Sequence, residues 1–195
     1  MQQHQQGFSL VEIVTVLAII GLIALCAIPA FATYRRRAAM VSEADELKTI
    51  LRLARSRAIA SGRHAGVKFV HAGNQWTYAF YEDGDGDGIR NDDIESGVDR
   101  RWSGPSLLIP RFDLAGIGLL PDSIRDPDGD PLPPTANAVQ FNRSTICSFS
   151  PIGSGTPGSV YVTDGRQLCV VRVTGSTGRV RMMRYDTGRR RWEQH

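Results

Sequence analysis

Three groups of residues in this 195-residue chain have the types and spacing to do chemistry. The first is Asp83, Asp85 and Asp87, at alternate positions of DGDGDGIRNDDIE and followed by Gly88. Several carboxylate oxygens on a tight turn suit a hard cation such as calcium, with glycine at the sharp bend. Asp93 is close enough in sequence to join them. The twelfth position counted from Asp83, where an EF-hand places an acid, is Ile94, flanked by Asp93 and Glu95. The loop is therefore calcium-like without being an EF-hand. The alternative is an acidic, glycine-rich hairpin tip.

The second group lies at the other end. In GRVRMMRYDTGRRRWEQH, Arg179 and Arg181 share one face of a strand, since i and i+2 point the same way, while Arg184 falls on the opposite face. Arg189, Arg190, Arg191 and Trp192 follow. Arginines beside an aromatic ring suit phosphate contact and base stacking, so this segment is a candidate DNA-binding site. The alternative is a solvated last strand and tail. Net charge is only +3, so overall charge announces no polyanion partner. The informative feature is the distribution: residues 82–99 hold eight acids, and residues 175–195 hold six arginines against Asp186 and Glu193.

The third is a single residue. Glu12 stands at the head of a run, residues 13–34, that carries no formal charge. Such a run spans roughly 33 Å as a helix, enough to cross a bilayer. A carboxylate in hydrocarbon costs roughly 2.5–3.5 kcal/mol unless it is paired. Glu12 thus calls for a cationic partner or an interfacial position.

Other chemistry has little support. His4, His64, His71 and His195 show no metal-ligand spacing, and no nucleophile elbow, CxxC or phosphate-binding loop is present. The chain reads as a non-enzyme with no catalytic residue. Cys147 and Cys169 fall in segments that read as strands; in an oxidising compartment they can close one disulfide, if the geometry allows it.

These residues need elements to hold them. Met40, Ala44, Leu47, Leu51, Ala54 and Ala58 step by four and three, an apolar stripe on an amphipathic helix. Glu43, Asp45, Glu46, Lys48, Arg52, Arg55 and Arg57 are expected on its other faces. Ser61 and Gly62 are a helix stop. AGVKFV and QWTYAFYE flank HAGN as a hairpin, and SLLIP, AVQF, SVYVTD, QLCVVRVTG and GRVRMMRYD are further strands. DGR and GSTG are turns; residues 122–134 and 150–158 read as loops. A long helix followed by mostly antiparallel sheet gives an α+β fold.

The N-terminus resembles the processing site of type IV prepilins and pseudopilins. GFSLVE supplies Gly7, then apolar Phe8, then Glu12 as the fifth residue counted from Phe8, ahead of a long apolar helix. The order that follows, with FSPIGSGTPGSVYV and VRVTGSTGRVR, is similar to the FimT/GspH group of minor pilins and pseudopilins. The GRVR segment resembles a GRxR motif linked to DNA binding in FimT-type pilins. One departure is the leader, MQQHQQG, which has no basic residue.

The resemblance implies the following. Residues 1–7 are a leader that prepilin peptidase removes after Gly7, and Phe8 is N-methylated. Residues 8–34 are a transmembrane and filament-core helix, with a break near Pro29. Residues 35–62 continue it into the globular domain of residues 63–195. Glu12 pairs with the N-terminal amine of a neighbouring subunit. The partners are other major and minor pilins or pseudopilins and an inner-membrane assembly platform. The domain faces the periplasm on a single-pass anchor, although the YRRR flank by itself points that side to the cytoplasm. The function is that of a minor pilin near the tip of a type IV pilus, with DNA as a further partner. The alternatives are a type II secretion pseudopilin handling exoproteins and a membrane-anchored binding protein that never polymerises. An ordinary signal peptide, cut after the AFA of residues 30–32, is a separate reading.

Overall fold

The computed structural model describes residues 9–194 except 74, 109–113, 121–123 and 135–136. Gly7 and Phe8, the expected processing site, lie outside the described residues. The chain divides into two units, residues 1–36 and 37–195.

In the first unit, helix α1 (Leu10–Ser61) begins on Ser9, whose carbonyl accepts the N–H groups of Glu12 at 3.0 Å and Ile13 at 3.2 Å. Its large apolar side chains from Leu10 to Phe31 are exposed in the isolated chain. Length and apolarity suffice to cross a membrane. The expected break at Pro29 is absent, and α1 is unbroken there. A proline removes one i→i−4 donor and crowds one carbonyl, which a long helix absorbs without ending.

In the second unit the apolar stripe is buried as its spacing requires. Met40, Ala44, Leu47, Leu51, Ala54 and Ala58 are all fully buried. Glu43 is buried too, against the expectation that it faces outward. It lies three residues after Met40 and four before Leu47, so the same stripe covers it. Helix α1 ends at Ser61, where Gly62 adopts φ +67°, a left-handed stop that a side chain would resist.

Among the described residues ten strands follow: β1 (Ala65–Ala72), β2 (Gln75–Glu82), β3 (Arg100–Leu108), β4 (Gly116–Ile117), β5 (Val139–Phe141), β6 (Ile146–Phe149), β7 (Gly158–Thr163), β8 (Leu168–Thr174), β9 (Arg179–Asp186) and β10 (Arg191–Gln194). A short helix, α2 (Asn91–Ser96), precedes β3. One sheet has the order β3-β2-β1-β6; the other runs β10-β9-β8-β7-β4, with β5 also paired to β7. All pairings are antiparallel. The α+β reading holds. Periodicity does not reveal α2, β10 or the first half of β3, which are short or too polar to alternate, nor β4, which is two residues long.

The stripe of α1 packs with both sheets in one core that includes Val67, Phe69, Phe141, Phe149, Val160 and Val171. The opposite face of β7 and β8 is also covered, by Leu119, Leu132, Met183, Tyr185 and Trp192 around Tyr161, Leu168 and Val170. This two-sided burial explains why YV and LCVV read as continuous apolar runs. Full burial of one Leu or Phe contributes about 1.5–3 kcal/mol, so α1 and the sheets hold each other in place.

Candidate functional site

The acidic loop leaves β2 at Asp83. That carboxylate is only 3 % exposed, and the backbone folds around it. Its Oδ1 accepts the N–H groups of Asp85 at 3.0 Å and Gly86 at 2.7 Å; its Oδ2 accepts the N–H of Gly88 at 2.9 Å and faces His64 Nδ1 at 3.0 Å. Gly88 has φ +98°, which permits the bend that turns its N–H inward. Burial pushes the Asp83 carboxyl up, but the hydrogen bonds from Gly86, Gly88, Asp85 and His64 outweigh it and hold the group below its ordinary value.

A second buried carboxylate closes the loop. Asp99, 2 % exposed, accepts the Gly84 N–H at 3.3 Å and the Arg90 N–H at 3.0 Å. Burial raises its pKa, the Arg90 and Gly84 donors oppose the rise, and the charges of Asp83 and Asp93 add to it. Spacing did not single out Asp99, because it lies sixteen residues from Asp83. The one available signal was an acid directly before the arginines of β3.

Asp83, Asp85 and Asp87 converge, each offering one oxygen within 4.8 Å of the others. That donor set is oxygen-rich and suits a hard cation. However, all four lone-pair positions of Asp83 already face donors, and Asp87 pairs with Arg90. Asp93 gives its carbonyl to the Asp99 N–H at 3.0 Å and stands apart from the cluster, on α2.

The arginine-rich end does not form one surface. Strand register puts Arg179 and Arg181 on one face of β9 and Arg184, paired with Cys169, on the other. Arg181 Nη2 donates to Thr174 Oγ1 at 3.3 Å. Arg189 and Arg191 both reach Glu193 Oε1, at 3.0 and 3.3 Å. Arg190 is exposed on a turn with φ +52°. Trp192 is half-buried: its indole N–H donates to the Arg125 carbonyl at 2.8 Å, and its ring meets Tyr185 edge-on at 5.3 Å. The ring expected to stack on bases is thus engaged in the protein's own outer layer.

The expected disulfide is not formed. Cys147 on β6 and Cys169 on β8 are free, buried thiols on strands of different sheets. Both pack in the α1-facing core as small apolar groups. Burial pushes the Cys147 thiol well above its ordinary value and the Cys169 thiol up to about 12.

An apolar N-terminal helix with a carboxylate near its start, running on into an amphipathic half that packs against antiparallel sheets, is the architecture of a pilin-like filament subunit. The chain belongs to the GspH family. Residues 43–179 match the family model described as type II transport protein GspH, and residues 2–27 match the prokaryotic N-terminal methylation motif. It is a pilin or pseudopilin of the FimT/GspH type, whose members are structural subunits. No curated protein and no solved structure matches the chain significantly.

Proposed function

We propose that the chain is a minor pilin, made as an inner-membrane prepilin with its globular unit in the periplasm. Prepilin peptidase cuts after Gly7 and methylates Phe8, and an assembly platform then draws the mature chain into a type IV pilus near its tip. The observation that carries this reading is the placement of Gly7, Phe8 and Glu12 within the methylation-motif match, ahead of a helix with no further charge before Arg35. Glu12 offsets the positive N-terminal amine of a neighbouring subunit, because a buried carboxylate is tolerated only when paired. A second reading, a pseudopilin of type II secretion that handles exoproteins, is favoured by the family's own description.

Two further roles stand beside this one. Arg179, Arg181 and Arg190 are the C-terminal arginines best placed to touch DNA phosphates. Asp85 and Asp87 are the residues that would take a calcium ion beside Asp83, with Arg90 released from Asp87.

Processing tests the main reading. Gly7→Val blocks cleavage in cells that carry the peptidase, and mass spectrometry of the wild-type chain finds Phe8 at the N-terminus. A wild-type N-terminus at Thr33 instead identifies an ordinary signal peptide. Glu12→Ala leaves membrane insertion intact and removes the chain from sheared filaments. Equal incorporation of Glu12→Ala and wild type rules out the pairing role.

A further inference from the structure

Three further arginines, Arg63, Arg100 and Arg101, come together beside the start of β3. A cavity of about 750 Å³ is lined there by Arg63, Arg100, Arg101, Trp102, Glu82 and Asp83, among others. Three elements set it up. The left-handed stop at Gly62 delivers Arg63. The β2–β3 register places Arg100 opposite Glu82 and Arg101 opposite Tyr81. Trp102 stacks on Phe80, ring centroids 4.7 Å apart, with the Arg57 guanidinium 5.4 Å from its ring centroid.

Three guanidinium groups line the wall beside the carboxylates of Glu82 and Asp83. One oxygen of Glu82, Oε2, is held by Arg57, whose Nη2 and Nε lie 2.9 and 3.3 Å from it. Asp83 is filled by three backbone N–H groups and His64. Among the described residues, the guanidinium groups of Arg63, Arg100 and Arg101 have no hydrogen-bond or ion-pair partner. The Trp102 indole N–H is buried without an acceptor. That N–H is closed off from the cavity and reports on its wall, whereas the exposed guanidinium forks match oxyanions in geometry.

The surroundings limit the size of the anion. Gly84 and Val98 line the cavity and belong to the acidic loop. Asp85, Asp92 and Glu95 on that loop are exposed. Negative charge on the loop that lines the cavity disfavours an extended polyanion more than a compact anion.

We propose that the cavity walled by Arg63, Arg100, Arg101 and Trp102 is a binding site for a compact oxyanion, a single phosphate or small carboxylate group. The site is distinct from the C-terminal arginines.

The test uses the full chain in detergent micelles with 15N-labelled tryptophan. The Trp102 indole resonance is assigned by Trp102→Phe, and the Trp76 and Trp192 resonances report whether each variant is folded. Sodium phosphate and sodium succinate are titrated against sodium chloride at matched ionic strength. The expected result is a saturable shift of the Trp102 resonance, with binding at least about tenfold weaker in Arg63→Gln/Arg100→Gln. A response to phosphate alone identifies a phosphate site; a response to both identifies a general oxyanion site. A response no greater than that to chloride overturns the proposal. So does an unchanged titration in the double variant, or tighter binding of a short oligodeoxythymidylate than of phosphate.

Discussion

The acidic loop after β2 and the arginine-rich end after β8 carry charge of opposite sign, and the fold uses them in opposite ways. In the loop, Asp83 and Asp99 point inward and bind the chain's own N–H groups, so charge builds the backbone. At the C-terminal end Arg179, Arg189, Arg190 and Arg191 stay exposed, and two of them share Glu193. The difference follows from side-chain length. A short carboxylate can sit within reach of two or three successive N–H groups and be buried. A guanidinium on a long stem keeps its head in water and takes what acceptor it meets. Clustering in sequence therefore says little about purpose until each group's partner is known.

The sharpest way to break this comparison is Asp83→Ala. It leaves the Asp85, Gly86 and Gly88 N–H groups unpaired and should cost about 2–4 kcal/mol in urea unfolding. Asp85→Ala, at an exposed position, should cost under about 0.5 kcal/mol. Equal losses would mean that the loop is not organised by the buried carboxylate.

Calcium comes next. If Asp85 and Asp87 take the ion beside Asp83, calcium at a hundredfold excess over Kd stabilises the folded chain by about 2.7 kcal/mol. The melting temperature then rises, and Asp87→Asn removes the rise. A melting curve indifferent to calcium leaves the loop to Asp83 and Asp99 alone.

Acid should separate the two buried carboxylates. The Asp83 pKa is lowered by folding, so its stabilisation is complete above the unfolded value of 3.8 and is lost as pH falls below that value through the folded pKa. The Asp99 pKa is raised, so its protonation above 3.8 favours the folded state as pH falls. Replacing Asp99 by Asn should therefore flatten the small gain in stability on mild acidification while leaving the loss below 3.8. Unfolding midpoints measured from pH 3 to pH 6, roughly the carboxylate range, check the sign.

The smallest effect on stability belongs to the arginine end. Glu193→Gln frees Arg189 and Arg191 and should change stability by under about 0.5 kcal/mol, because exposed ion pairs are worth little. Its effect on DNA should be larger. Two released arginines steepen the log–log salt slope of binding by roughly 0.7–0.9 each. Fluorescence anisotropy at several salt concentrations measures it, and an unchanged slope would show that these side chains do not reach phosphate.

Much was legible in the sequence where one repeating pattern dominates. The stripe from Met40 to Ala58 follows from the 3.6 period, the alternation at the start of β9 from the period of 2, and the stop at Gly62 from glycine's freedom at positive φ. The uncharged helix headed by Glu12 is legible for the same reason: it depends on local composition and length. Partnerships are a different matter, because they join residues far apart. Only the packed sheets decide that Cys147 and Cys169 stay free, that Trp192 gives its N–H to Arg125, and that Glu43 is buried. Only they bring Arg63 to Arg100 and Trp102, nearly forty positions along the chain. Local order is written in neighbouring side chains, whereas a site depends on which distant strand the register places beside it.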